Sequence, residues 1–224
     1  MKHHFLLVNT IFLVSIQYLF AQPEIPPTFN QQMLMSTQGK LDNVAGSPYQ
    51  YEEFKKGDLY YDGKHKVEQI PLRLNIYNDQ LEYKAKEGIM AFGNPHRIDS
   101  VVIEGEVLIF FRTSRENKIS GFVKLLNPEK PSLLSKMKVE FFKREDKKPF
   151  DLDEPKPDRL ERLDDIYYLW KSDRDIQRVN SVKKLIKLLG KHNSELTAYA
   201  KEMRVSLDDP EGLVKLINYY HELD

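Results

Sequence analysis

The feature that most constrains the fold is a strict alternation of apolar and polar side chains over residues 70–76. The apolar members are Ile70, Leu72, Leu74 and Ile76, and they are separated by Pro71, Arg73 and Asn75. A period of two places alternate side chains on opposite faces of an extended chain. The sequence therefore predicts a β-strand with one apolar face, packed on a core, and one polar face.

A reverse turn is predicted directly after this strand. Asn78 and Asp79 tolerate the positive φ angles of a two-residue hairpin turn, and a second alternating run follows them. This turn fixes the register of the hairpin. The expected pairs are Ile76 with Leu81, Leu74 with Tyr83, Asn75 with Glu82, and Arg73 with Lys84, with Glu82 diagonal to Arg73.

Short runs rich in Tyr, Phe, Val and Ile continue along residues 46–171, and Gly, Asn, Asp and Pro separate them. This spacing is typical of antiparallel sheets. Strands are expected at 107–112, 119–126, 138–143 and 166–170. The charged, proline-containing stretch 144–165 is expected to be a surface loop. We predict a β domain over residues 46–171, an antiparallel meander arranged as a sandwich or a partly closed barrel.

Beyond residue 172 the apolar period changes to about 3.6, which indicates helices. Three short helices are expected over residues 172–224, packed on the β domain, so the fold class is α+β. The first runs from a Ser181 cap to Gly190, and the second follows Ser194. The third begins at Asp209-Pro210. The predicted apolar stripe of the second helix is Leu196, Tyr199, Ala200 and Met203. That of the third helix is Leu213, Leu216, Ile217 and Tyr220.

Residues 1–21 have the order of a secretory signal peptide. Lys2 is the charged part, residues 5–20 are largely apolar, and the small residue Ala21 precedes the expected cleavage site. The alternative is an uncleaved membrane anchor, but polar residues interrupt the apolar stretch, which is shorter than a bilayer span. No later segment has 18 consecutive apolar residues. We expect an exported product, periplasmic or secreted.

Composition narrows the class of protein further. The chain has no cysteine, so it has neither disulfides nor the cysteine that an N-terminal lipid anchor needs. Because Lys2 is the one charged residue of the leader, the remainder has one more acidic than basic side chain. Nucleic-acid binding, which requires a basic excess, is not expected. Residues 22–45, rich in proline and then polar, are expected to form an extended arm or linker.

Signatures of catalysis are missing from the sequence. There is no thiol nucleophile, and the histidines form no HExxH motif. The chain also lacks the GxSxG, GxxxxGK[ST] and GxGxxG patterns, and we expect no cofactor and no metal. Paired carboxylates could still hydrolyse glycosides, with Glu82, Glu104 and Glu106 as candidates.

Aromatic and polar side chains on the strands are the candidates for ligand binding. Exposed rings could stack on sugars, although aromatic residues also favour strands for packing alone. The polar side of the predicted hairpin adds charged and amide groups. The candidate residues are Tyr60, Tyr61, Arg73, Asn75, Tyr77, Glu82, Tyr167 and Trp170.

Several stretches resemble one family of proteins. They are Gly46-Ser47-Pro48-Tyr49, residues 54–61, residues 71–79 and residues 216–220. With these stretches the chain is similar to an uncharacterised family of exported, signal-peptide-bearing proteins of Bacteroidetes-type bacteria. The resemblance implies a bacterial source and a location in the cell envelope, and it implies no activity.

Three hypotheses of function follow. The leading one is a non-enzymatic binding or structural module of the bacterial cell envelope, whose partner would be an envelope glycan or a protein. The alternative is a hydrolase acting on a polysaccharide or other envelope polymer, and a polar pocket holding close carboxylates would favour it. A third is the addition of a partner's strand to an open sheet edge.

Overall fold

A computed structural model describes residues 25, 29, 32–33, 44–111, 119–144, 157–172 and 175–224. Across these residues the chain forms one antiparallel sheet followed by three helices, and the sheet is not closed. The predicted α+β class, with an antiparallel meander and a small helical C-terminal region, is confirmed. The predicted signal peptide, most of the predicted arm and residues 145–156 of the predicted loop lie outside the described residues.

Eleven strands are found among the described residues. They are β1 (Gln32–Met33), β2 (Lys55–Tyr61), β3 (His65–Asn75), β4 (Gln80–Ala85), β5 (Gly88–Ala91), β6 (Ile98–Ile103), β7 (Glu106–Phe111), β8 (Gly121–Leu125), β9 (Ser132–Phe142), β10 (Arg159–Ser172) and β11 (Asp175–Val179). Their order in the sheet is β1-β5-β4-β3-β2-β6-β7-β8-β9-β10-β11. Most neighbours in the sheet are also neighbours in the chain, as in a meander.

Three helices complete the chain: α1 (Val182–Leu189), α2 (Asn193–Glu202) and α3 (Pro210–Leu223). The predicted caps of the first and third are confirmed. Ser181 Oγ accepts a hydrogen bond from the Lys184 amide, and Asp209 Oδ1 accepts one from the Gly212 amide. Gly190 ends α1 in the left-handed conformation, at φ +85°. In the described residues, no helix has the length and apolar character needed to cross a membrane.

Apolar side chains form three clusters. The largest joins β2, β3, β4 and β6 to side chains of β7, β8, β9 and β10. In β9, Leu133 packs with the helices, whereas Leu134 belongs to the third cluster, so the two lie on opposite faces of the strand. The predicted stripe of α3 is buried in the helical cluster. Met203 of the predicted α2 stripe is 50 % exposed instead, because the helix ends at Glu202.

Part of the predicted arm packs on the sheet. Phe29 is fully buried in the largest cluster, where its ring meets those of Tyr61 and Phe92 edge-on at 5.2 and 5.3 Å. Ile25 is buried in the same cluster, and β1 pairs with β5. The described residues of this region therefore contribute to the core and to one edge of the sheet.

The register predicted for the β3–β4 hairpin is wrong by two residues. The observed pairs are Leu72 with Tyr83, Arg73 with Glu82, Leu74 with Leu81, and Asn75 with Gln80. The turn has four residues, 76–79. The Ile76 amide donates to the Pro48 carbonyl at 2.7 Å, so this amide does not pair with β4. Within the turn, Asn75 Oδ1 accepts a hydrogen bond from the Asn78 amide. A shift of two keeps each side chain on its predicted face.

Two predictions near the C-terminal strands are also wrong. The stretch expected to be a loop up to residue 165 becomes strand at Arg159, because residues 159–163 pair with residues 138–142 of β9. Strand β11 was not predicted. It pairs with residues 167–172 of β10 and extends the sheet to Val179, so the helices begin at Val182.

Candidate functional site

Residues 44–50, here called the bridging segment, connect two distant strands. On one side, the Ala45 amide donates to the Asp158 carbonyl, and the Leu160 amide donates to the Ala45 carbonyl. On the other side, the Gln50 amide donates to the Leu74 carbonyl of β3. The segment is thus held by β10 at its start and by β3 at its end.

Gly46 makes this crossing possible. Its φ is +85°, a backbone conformation that is strained for residues other than glycine. A Cβ atom at this position would lie 2.0 Å from the Leu160 carbonyl oxygen. The segment therefore approaches the β10 backbone more closely than any larger residue would permit. The Gly-Ser-Pro-Tyr stretch noted in the sequence is the turn that seats the bridging segment.

Behind the bridging segment lies a buried polar cluster. Arg73 donates to Glu82 from Nη2 at 2.8 Å and to the Glu52 carbonyl from Nη1 at 3.1 Å. Asn75 Nδ2 donates to the other oxygen of Glu82 at 3.3 Å. Arg73 is 6 % exposed, and Asn75 and Glu82 are each 1 % exposed. Three sequence candidates are thus brought together, but in the interior.

Two aromatic rings cover this cluster. The Arg73 guanidinium lies 3.6 Å from the ring centre of Tyr49 and 4.3 Å from that of Phe54. The face of β3 and β4 predicted to be polar is therefore covered at this point instead of facing solvent. Burial is the main cause that raises the pKa of Tyr49, and the nearby Glu82 carboxylate adds to it.

A cleft of about 370 Å³ opens beneath the bridging segment, and we call it the bridge cleft. Four buried apolar side chains form its floor: Ile76, Met137, Val139 and Leu160. Its remaining walls carry Gly46, Ser47, Tyr49, Gln50 and Arg162. The volume falls within the range of small-molecule sites, and an apolar floor with a few polar groups is their usual lining.

Gln50 connects the bridge cleft to a second polar group. Its amide Nε2 hydrogen-bonds to Glu106, whereas its Oε1 is buried and makes no hydrogen bond within the described part of the chain. Glu106 also accepts from the Tyr51 hydroxyl at 3.0 Å and pairs with Lys124 at 2.5 Å. Burial and then the hydrogen bond to Glu106 raise the pKa of Tyr51 to about 12.

The other sequence candidates do not join this site. Tyr61 is buried in the largest apolar cluster, and Tyr77 is 42 % exposed in the β3–β4 turn. Trp170 is half-buried, with Lys130 Nζ 3.8 Å from its ring centre. Tyr60 lines a separate cleft at the β2–β3 turn, and Tyr167 lines a cleft at a bulge in β10.

The cleft at Tyr167, here called the bulge cleft, measures about 630 Å³. It forms where the β9–β10 register shifts between Leu163 and Ile166, and Pro210 at the start of α3 also lines it. Asp164, Asp165 and Asp208 line it. Asp165 binds Ser135 and Arg162, and the other two carboxylates make no hydrogen bond or ion pair with described residues. Burial is the main cause that raises the pKa of Tyr167, and the negative charge of Asp165 raises it further.

Sequence reasoning missed Tyr49, Gln50, Met137 and Arg162. The sequence patterns near them are a glycine before a Ser-Pro pair and the alternation within β9. Neither pattern indicates which distant strands come together in the fold. In the residues that the structure describes, no group of three His, Asp or Glu side chains is placed to hold a metal ion. Comparison with models of protein families, with curated proteins and with solved structures gave no match to this chain.

Proposed function

We propose that this protein is a non-enzymatic binding module of the bacterial cell envelope, and that its ligand enters the bridge cleft. The observation that carries the proposal is the lining of this cleft, in which a buried apolar floor meets a polar rim. Such a lining fits an amphipathic ligand, whose apolar end contacts Met137 and Val139. Its polar end would reach Gln50, Ser47 and Arg162.

The construction of the site supports a preformed pocket. The bridging segment is fixed by backbone hydrogen bonds at both ends, and the Arg73 cluster supports Tyr49 from behind. A pocket whose walls are already ordered loses little conformational entropy when a ligand binds. Export, expected from residues 1–21, would place the module among envelope lipids and glycans.

Saturation-transfer NMR tests the proposal, with octyl glucoside below its micelle concentration as the probe. This molecule combines an alkyl chain with a sugar head, and we expect the strongest transfer to the chain. Val139→Phe fills the cleft and should abolish the transfer. The matched control is Val107→Phe, the same change at a half-buried position of β7 outside the cleft.

Thermal unfolding of each variant shows whether it is folded, and Met137→Phe is the alternative if Val139→Phe is not. Equal transfer in the wild type and in a folded cleft-filling variant would reject the bridge cleft as the site. Loss of transfer in the Val107→Phe control would show that the effect is not specific to this cleft.

A second candidate function, hydrolysis of an envelope polymer, is favoured by one observation. The bulge cleft holds three aspartates, one fixed by Arg162 and Ser135 and two without partners among the described residues. Hydrolysis of glycosides requires two carboxylates with different roles. Turnover of purified envelope polysaccharide that is lost in both Asp164→Asn and Asp208→Asn would establish this function, and its absence in the wild type would exclude it for that polymer.

A further inference from the structure

A third cleft lies at the β2–β3 turn and shares no residue with the bridge cleft. We call it the hairpin cleft. It has a volume of about 410 Å³, and its lining includes Tyr60, Lys64, His65, Lys66, Asp99 and Ser100. Tyr60 pairs with Lys66 on β3 and with Ser100 on β6. These three side chains therefore occupy the same face of three adjacent strands.

The Tyr60 ring is half-buried, and the Lys66 cation lies over one of its faces. Lys66 Nζ lies 5.1 Å from the ring centre. Two carboxylates hold this ammonium in place, Asp58 at 3.1 Å and Glu68 at 2.5 Å. One ammonium shared by two carboxylates leaves no free positive charge, so Lys66 orders the site and does not attract an anion.

Both donors and acceptors surround the ring. Asp99 Oδ2 accepts from the Gly63 amide at 2.6 Å, which fixes the carboxylate and leaves Oδ1 without a hydrogen bond among the described residues. Ser100 supplies a hydroxyl. Lys64 is exposed and makes no ion pair with any described residue, so its ammonium is accessible to a ligand.

This combination selects one chemical class of ligand. The C–H face of a sugar ring packs on an aromatic face, and its hydroxyls need donors and acceptors at the edge of the ring. An exposed cation that makes no ion pair favours a sugar that carries a carboxylate. We propose that the hairpin cleft binds an acidic saccharide of the uronate type, with its ring on Tyr60 and its carboxylate on Lys64.

Two-dimensional ¹H–¹⁵N NMR titration with digalacturonate tests this site, and the neutral disaccharide galactobiose is the comparison. We expect digalacturonate to shift the amide signals of Gly63, Lys64 and Asp99. Lys64→Gln should weaken binding about threefold to fivefold, the range of one exposed ion pair. Lys56→Gln, at an exposed position of β2 outside the cleft, is the matched control and should have no effect.

Tyr60→Leu keeps an apolar side chain but removes the flat ring, and it should abolish detectable binding. The spectrum of the free variant reports whether it is folded. Equal affinity for galactobiose and digalacturonate, or unchanged binding in folded Lys64→Gln, would overturn the proposal. Shifts confined to residues of the bridge cleft would also overturn it. Since the two clefts share no residue, failure here leaves the result with octyl glucoside intact.

Discussion

At the scale of single residues, the central feature is the ion pair between Arg73 and Glu82. Both side chains are almost fully buried, at 7 % and 1 % exposure, which normally opposes folding because charges lose their hydration. Here the cost is offset by Asn75, by the Glu52 carbonyl and by two aromatic rings on the guanidinium. The pair therefore depends on all its partners being present.

Glu82→Gln should leave the Arg73 charge buried without a counter-ion. We expect the free energy of unfolding to fall by about 3–5 kcal/mol, measured by urea denaturation. The control is Glu140→Gln, which removes an ion pair with Lys138 that is 43 % exposed on each side. That change should cost less than about 1 kcal/mol. Equal losses in the two variants would show that the buried pair contributes no more than a surface pair.

The proximity of Arg73 and Glu82 could be predicted from the sequence, but their burial could not. The alternation of the strand places both residues on one face of the hairpin, and the sequence predicts that this face is polar and exposed to solvent. The rings that cover it, Tyr49 and Phe54, precede Arg73 by 24 and 19 residues. Nothing in local periodicity indicates that an upstream segment folds back over a polar face.

At the scale of elements, the two helix starts that depend on a local capping side chain could be predicted. The start of α2, which has no capping side chain, was not predicted correctly. Ser181 and Asp209 cap α1 and α3 as the sequence indicates. The start of α2 is different: it begins at Asn193, and its N-cap residue His192 has a left-handed backbone with φ +55° and no side-chain hydrogen bond to the helix. The tight connection from α1 determines this start, so the Ser194 signal was misleading.

Serine-to-alanine changes separate these two kinds of helix start. Ser181→Ala removes the hydrogen bond to the Lys184 amide and should lower the free energy of unfolding by about 1 kcal/mol. Ser194→Ala removes a contact with Glu195 and no capping bond, so its effect should be within about 0.5 kcal/mol. Thermal or urea unfolding measures both. A loss in Ser194→Ala as large as that in Ser181→Ala would contradict the assigned start of α2.

The missed strand segments share a physical cause. Residues 159–165 and β11 carry many charges and few apolar side chains, so local composition indicates a loop. Their strand structure comes from their pairing partners. Strand β10 pairs along the length of β9, and β11 pairs with β10. Pairing of this kind is non-local, and single-strand patterns do not contain it.

At the scale of the whole molecule, the bridging segment links two strands that are not neighbours in the sheet. It connects β3 to β10, and the bridge cleft lies beneath it. The meander and the helical end could be predicted because they follow from the order of local periods. The clefts could not, since each combines residues from at least two segments far apart in the sequence.

Buried tyrosines give the whole molecule a defined response to alkaline pH. Burial raises the pKa of Tyr83 from 10.0 to about 12, and its hydroxyl has no hydrogen bond among the described residues. The unfolded chain loses this proton near pH 10, whereas the folded chain keeps it until about pH 12. The neutral phenol therefore stabilises the fold fully below pH 10, and this contribution is lost as the pH rises through 12.

We expect the free energy of unfolding of the wild type to fall between pH 10 and 12, with Tyr83 contributing a slope of up to about 1.4 kcal/mol per pH unit. Tyr83→Phe removes the titrating group, so its stability should fall less steeply over the same interval. At pH 7 the variant should be at least as stable as the wild type, because the lost hydroxyl is buried without a partner among the described residues. Urea unfolding at pH 7, 9, 10 and 11 measures both effects. Parallel pH profiles would show that Tyr83 is hydrated in the folded protein, and a large loss at pH 7 would show that its hydroxyl has a partner.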